Sequence, residues 1–143
     1  MIDVILATDM AGHAGLCEKL SEALELRQKE QTEISRDLVL KMLIKTADLS
    51  NTVKPFDISR QWAICVTEEF FNQGDLEKAE GLEVLPMYDR EKSTELAKGQ
   101  LGFIDFVAKK HMTMMSQVHS GLEWLLENVT SNRDTWNSTV SPH

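Results

Sequence analysis

The sequence predicts an all-α protein, a multi-helix bundle with no sheet, and three observations carry that expectation. Only three prolines interrupt 143 residues. Strong helix formers dominate. Apolar residues recur at spacings of three and four, and no run of four to eight residues alternates in the β manner. The length suits one domain with a modest core that needs no disulfide or metal staple.

Residues 2–10 open with Ile2, Val4, Ile5 and Leu6, are broken by Asp3 and Asp9, and should end near Met10-Ala11-Gly12. No basic region precedes them, so they read as neither a signal peptide nor a membrane span. A second helix is expected over 13–30, with Leu16, Leu20, Ala23 and Leu24 on one face and 28–33 as its exposed end or a short loop. A third, over 36–49, places Leu40, Leu43, Ile44 and Ala47 together. Cap-type side chains and Pro55 then break the chain over 50–55. The helix predicted over 57–72 carries Ile58, Trp62, Val66 and Phe70 at four-residue spacing, the pattern of a core stripe, with Gly74-Asp75 as its end or a kink. Residues 81–92, carrying Pro86, form the one extended irregular segment. One helix is expected from about Thr94 to Val118. Ser120 and Glu123 form a capping box that starts the last helix towards Trp136.

Lys and Arg total 15 against 23 Asp and Glu, a net charge of −8. Such a surface repels phosphodiester backbones, so nucleic-acid binding is not expected, although one small anion in a local pocket remains compatible. Apolar residues at 42% and charged residues at 27% argue against disorder and against a membrane protein. Cys17 and Cys65 share no CxxC spacing and read as reduced thiols of a cytoplasmic protein. His13, His111, His119 and His143 are scattered, so no zinc site is expected; His13, four residues after Asp9, reads as half of a helix-surface pair.

Two features sit oddly in a plain bundle. Asp48 lies four residues after Ile44 on the apolar face of its helix. A carboxylate in a core costs several kcal/mol unless a cation or a set of donors meets it. It reads either as a cap or ion-pair partner around Ser50-Asn51, or as a hard oxygen ligand for a divalent ion. Gln100 and Phe103, three apart, share a helix face that Ile104 and Val107 extend. A Gln amide offers donor and acceptor together, which suits a purine edge, and a ring one turn away can stack on the base. The alternative is that Phe103, Ile104 and Val107 are core and Gln100 bonds a backbone group.

Several segments appear in order: Ile5-Leu6-Ala7-Thr8-Asp9-Met10, Thr46-Ala47-Asp48-Leu49-Ser50-Asn51, Arg60-Gln61-Trp62 with Glu68-Glu69-Phe70-Phe71-Asn72-Gln73-Gly74-Asp75, Leu85-Pro86-Met87 and Gly99-Gln100-Leu101-Gly102-Phe103-Ile104-Asp105-Phe106. Together with Ser131-Asn132-Arg133, this closely resembles the C-terminal half of the class I 3′,5′-cyclic nucleotide phosphodiesterase catalytic domain, over residues 2–140. The resemblance implies an all-α catalytic bundle that hydrolyses cAMP or cGMP to the 5′-monophosphate with two divalent ions, Zn²⁺ and Mg²⁺. Asp48 matches the family's last metal-binding Asp. Gln100 matches the glutamine that holds the base, Phe103 the aromatic side of the clamp and Val66 its opposing jaw. Asn51, Trp62, Phe70, Met87 and Met10 match pocket-lining positions. Gly99, small where many members are bulkier, gives a pattern similar to protozoan-type members.

Two departures follow from the same comparison. Thr52 stands where the family usually has Pro, which should leave that loop less rigid. The family's other metal ligands and its general-acid His lie upstream of anything here. Residues 1–143 are therefore expected to be the C-terminal part of a catalytic domain, inactive alone and completed by an upstream half. The enzyme expectation rests on Asp48 being buried against a cation. The alternative is a non-catalytic helical module that binds a nucleotide or a partner helix through Trp62, Phe70 and Phe103.

Overall fold

The computed structural model describes residues 2–92 and 96–140, and among them there is no strand. Seven α-helices follow in order: α1 (Ile2–Leu6), α2 (His13–Glu30), α3 (Arg36–Asp48), α4 (Phe56–Ala79), α5 (Leu96–Phe103), α6 (Lys109–Val118) and α7 (Glu123–Thr139). Short 3₁₀ turns join them at Met10–Gly12, Ser50–Val53, Pro86–Tyr88 and Ser120–Leu122, and a π-turn spans Ile104–Ala108. No helix among the described residues is long and apolar enough to cross a membrane.

The core draws Cys17, Leu20 and Leu24 from α2, Met42 from α3, Met112 and Met115 from α6, and Leu125, Val129 and Trp136 from α7. Phe56 at the start of α4 meets the Trp136 ring edge-on, with centroids 5.1 Å apart. Ser35 caps α3 by accepting from the Leu38 N–H (3.3 Å). Arg27 closes α6 by donating to the carbonyls of Gln117 and Val118.

Four expectations about the elements change. α4 runs through Gly74 to Ala79 without ending there. Gly74 is buried because the chain crosses it closely: a Cβ there would collide with the Tyr88 carbonyl. Gly74→Ala is therefore expected to lower stability by about 1–3 kcal/mol, overpacking outweighing the gain in helix propensity. A denaturation midpoint equal to that of the parent would refute the close contact. The expected helix over 94–118 is α5, a π-turn and α6 in succession, and its start at Thr94 lies outside the described residues. The last helix is led in by His119, whose Nδ1 accepts from the Gly121 N–H (2.9 Å), rather than by a Ser120 box. The break at 50–55 is well held: Thr52 is buried, its hydroxyl donates to the Leu49 carbonyl (2.8 Å), and the buried Asn132 amide donates to the carbonyls of Thr52 and Lys54, both at 2.8 Å. Hydrogen bonds do here what a proline ring would do by covalent restraint.

The apolar faces of α3 and α4 are also turned from expectation. α3 buries Met42, Lys45 and Thr46, with Leu49 buried just past its end, while Leu40, Leu43 and Ile44 are exposed. α4 buries Ser59, Ala63 and Gly74, while Ile58 and Trp62 are exposed, Trp62 by 55%. Both helices are apolar on two sides, and only one side meets this chain's own core.

Lys45 is fully buried, and its ammonium donates to the carbonyls of Ala7 (3.0 Å), Thr8 (3.2 Å) and Asp9 (3.1 Å). These carbonyls follow the end of α1, so the cation closes that helix and fixes the entry to α2. Burial pushes the Lys45 pKa down, with Asp48, Cys17 and Asp9 opposing the shift.

His111 on α6 is fully buried, and desolvation, with His13 and Lys45 adding, holds its pKa at about 4. An unfolded histidine protonates near 6.5, so between those values the unfolded chain binds the extra proton. Stability is complete above pH 6.5 and falls as the pH drops towards 4, by about 3 kcal/mol across the window. Denaturant titrations at pH 7 and 4.5 check this, and His111→Gln should flatten the difference. An equal slope in the variant would remove His111 as its cause.

Candidate functional site

A cavity of about 920 Å³ lies between the end of α3, the turn that follows it, α4, the Pro86–Tyr88 turn and α5. That is near the upper end of ordinary ligand pockets. α3 and its following turn contribute Asp48 and Asn51, and α4 contributes Trp62, Val66 and Phe70. Met87 lines the cavity from its 3₁₀ turn, Gln100 and Phe103 line it from α5, and Met10 comes from the turn before α2. All nine residues singled out in the sequence therefore line one space. Val107 joins Gln100 and Phe103 on that wall, but Ile104 turns into the core, 1% exposed. The π-turn that begins at Ile104 inserts extra residues per turn, so i, i+3, i+4 spacing no longer predicts one face there.

The stripe Ile58, Trp62, Val66, Phe70 is thus a wall and an open face rather than core. Its polar neighbours are few. Among the lining residues Asp48 is the one carboxylate and Lys54 the one ammonium, with amides from Asn51 and Gln100. Neither the Gln100 amide nor the Asp48 carboxylate makes a hydrogen bond or ion pair with another described residue. The cap and ion-pair readings of Asp48 therefore do not hold, and neither does a backbone bond for Gln100. Asp48 is also not buried: it is exposed beside Ala47 on the open side of α3. The expectation of a carboxylate enclosed by core is corrected, because the face of α3 that carries it is the one this chain leaves uncovered.

The irregular segment over 81–92 is pinned against α4 and shapes one side of the cavity. Asp89 is buried; its carboxylate accepts from Lys78 (2.7 Å) and the Glu91 N–H (3.0 Å). The Lys78 hydrogen bond, then that of the Glu91 amide, hold its pKa below the usual carboxylate range. Arg90 donates to Glu68 and Asp75 at 2.8 Å and lies over the Phe71 ring at 5.0 Å. Tyr88 meets Phe70 edge-on at 5.0 Å. On the far side of α5, Arg133 grips Asp105 through two hydrogen bonds of 2.6 and 2.9 Å, tying α7 to the π-turn.

Sequence reading missed one cluster. His13 makes no pair with Asp9, whose carboxylate instead accepts from the Ala11 N–H (2.9 Å). It is buried, with Nε2 3.5 Å from Cys17 Sγ, and His111 from α6 completes the group. The residues of α2 stand one turn apart, a visible signal. Nothing in the spacing could have announced that a histidine about a hundred positions on would join them.

A family-implied metal pair can be tested against these residues. Two divalent ions need several oxygen or nitrogen ligands between them. The cavity supplies one carboxylate and no histidine, so this chain does not by itself hold such a pair.

The described residues thus form an all-helical fold with a largely apolar cavity on one side. The profile of the 3′5′-cyclic nucleotide phosphodiesterase family matches residues 1–129, and the chain belongs to that family. It is 34% identical over 150 residues to a Drosophila melanogaster 3′,5′-cyclic-AMP phosphodiesterase, isoform F, covering 99% of this chain and 22% of that protein. It is 36% identical over 148 residues to the rat 3′,5′-cyclic-AMP phosphodiesterase 4C, covering 98% of this chain and 27% of that protein. Among solved structures, LmjPDEB1 in complex with IBMX superposes with a TM-score of 0.84 at 49% identity, over 96% of this chain and 41% of that one. The phosphodiesterase domain of the Salpingoeca rosetta rhodopsin phosphodiesterase gives 0.84 at 36% identity, over 96% and 43%. The chain thus spans about a quarter of these curated relatives and about two fifths of these solved chains. Members of the family are metal-dependent as a class.

Proposed function

We propose that this chain forms the base-binding part of a cytoplasmic catalytic domain that hydrolyses 3′,5′-cyclic nucleotides, cAMP in preference to cGMP, to 5′-monophosphates. One observation carries this reading: an unpaired amide, Gln100, lines an apolar cavity one helical turn from an aromatic ring, Phe103. The amide offers a donor and an acceptor to the purine edge, while Phe103 and Val66 offer apolar surface to its faces. Trp62, Phe70, Met87 and Met10 exclude water around the nucleotide, and Asn51 adds a second amide. Asp48 supplies one ligand to a pair of divalent ions, Zn²⁺ and Mg²⁺, whose other ligands come from outside these 143 residues. The uncovered faces carrying Leu40, Leu43 and Ile44 on α3, and Ile2, Ile5 and Leu6 on α1, support an upstream half of the domain packing there.

Gln100→Ala in the full-length protein tests the base assignment. Loss of a partner for a buried base edge removes about 1–3 kcal/mol of binding, roughly a 5- to 150-fold rise in KM for cAMP. The effect should fall mainly on KM, with kcat less changed. An unaltered KM would overturn the clamp.

A further inference from the structure

α2 presents His13 and Cys17 one turn apart, and α6 brings His111 against them. One donor atom from each residue lies within 4.8 Å of the other two, and the imidazole centroids are 5.8 Å apart. All three residues are buried, His13 being the most open at 8%. Hydrogen bonding distinguishes this group from ordinary core packing. The Thr46 hydroxyl lies 2.7 Å from the Met42 carbonyl and pairs with His111 Nε2 at 2.8 Å. His111 Nδ1 is left on the other side of the ring. It has no hydrogen-bond partner, and neither does His13 Nδ1; the only other such buried side-chain atom among the described residues is Trp136 Nε1. Leaving such groups unsatisfied costs about 1–3 kcal/mol each, and two of them here belong to imidazoles that cluster with a thiol.

We propose that His13, Cys17 and His111 form a binding site for one transition-metal ion of the Zn²⁺ class. The site uses none of the residues lining the cavity and does not depend on the proposed nucleotide chemistry. Two imidazoles and a thiolate are the ligand types that such borderline ions prefer. Around a tetrahedral ion, ligand atoms stand roughly 3.5 Å apart, so the group closes by little more than about 1 Å. Thr46 then plays the part that metal-bound histidines need on their other nitrogen: it orients the ring. Binding breaks the Cys17 S–H bond, forms the sulfur–metal bond and sends the proton to solvent, with no change of oxidation state. Lys45 from α3 and Lys110 from α6 oppose a cation here, and Glu18 on α2 favours it. The Lys45 ammonium is already engaged by three carbonyls, and the thiolate cancels one positive charge of the ion.

Cobalt(II) is the probe, in the full chain carrying Cys65→Ser so that the exposed second thiol is silent. Titration should produce a thiolate-to-cobalt charge-transfer band that saturates at one equivalent and is bleached by Zn²⁺. Adding Cys17→Ser should abolish the band. Thr46→Val, which strips His111 Nε2 of its partner, should weaken cobalt binding by about tenfold or more. Asp48→Ala should leave the band unchanged, since a carboxylate gives no such transition. His13→Gln, at the most open edge, provides a further test if Cys17→Ser fails to fold: it should weaken binding at least tenfold. Absence of a band at saturating cobalt, its survival in Cys17→Ser, or unchanged affinity in His13→Gln would overturn the proposal.

Discussion

Asp48→Ala in the full-length protein should lower turnover of cAMP by at least about a hundredfold while leaving the fold intact. Both halves of that expectation follow from the position of the side chain. Asp48 is exposed, lines the cavity and bonds to no other described residue, so deleting it removes nothing that holds the bundle together. Surface substitutions of that kind change stability by no more than about 0.5 kcal/mol. Its value in the proposed reading is as a metal ligand. Removing even a residue behind a metal ligand costs roughly 10–100-fold in affinity or activity, and removing the ligand itself should exceed that. Turnover and thermal midpoint, measured on the same preparation, separate the two effects. A variant that hydrolyses cAMP as fast as its parent would dismiss Asp48 from the chemistry and favour a non-catalytic binding module. A thermal midpoint equal to the parent's alongside lost turnover would show that no loss of folding imitates the loss of catalysis.

The helical class, and most helix boundaries, were legible because spacing and caps are local properties. α3 begins at Arg36 and Pro55 lies just before α4, as the sequence reading has them. The nine cavity residues were also legible, although through resemblance to a family rather than through periodicity. What spacing misjudged was which side of a helix is inside. α3 carries Leu40, Leu43 and Ile44 on one side and Met42 with Leu49 on another, and hydrophobicity cannot rank two apolar sides when only one meets this chain's core. The side that is buried includes Lys45, which a binary pattern assigns to solvent. The π-turn at 104–108 was invisible for a related reason: it arises from packing, and it sends Ile104 inward while Phe103 and Val107 stay on the cavity wall. The His13–Cys17–His111 cluster required tertiary contact between α2 and α6, which no local signal encodes.

Lys45→Met should destabilise the chain by about 3–4 kcal/mol, although methionine fills similar space and is apolar. Transfer arguments alone predict the opposite, because the buried ammonium is costly, as its lowered pKa records. The carbonyls of Ala7, Thr8 and Asp9 decide the outcome. Each accepts a hydrogen bond from a charged donor, worth about 1.5–3 kcal/mol apiece. Methionine supplies none of them, and the buried Ala7 has the least access to replacement water. Relief of desolvation and the gain of apolar contact offset part of that loss, which leaves the stated net cost. The same ammonium approaches Met10 Sδ at 3.9 Å, so the turn that carries Met10 to the cavity rim should loosen as well. Chemical denaturation of the variant measures the first effect, and faster amide exchange over residues 7–12 reports the second. If Lys45→Met were as stable as the parent, with unchanged exchange there, water would be satisfying those carbonyls. The link between α1 and α3 would then rest on apolar contact alone.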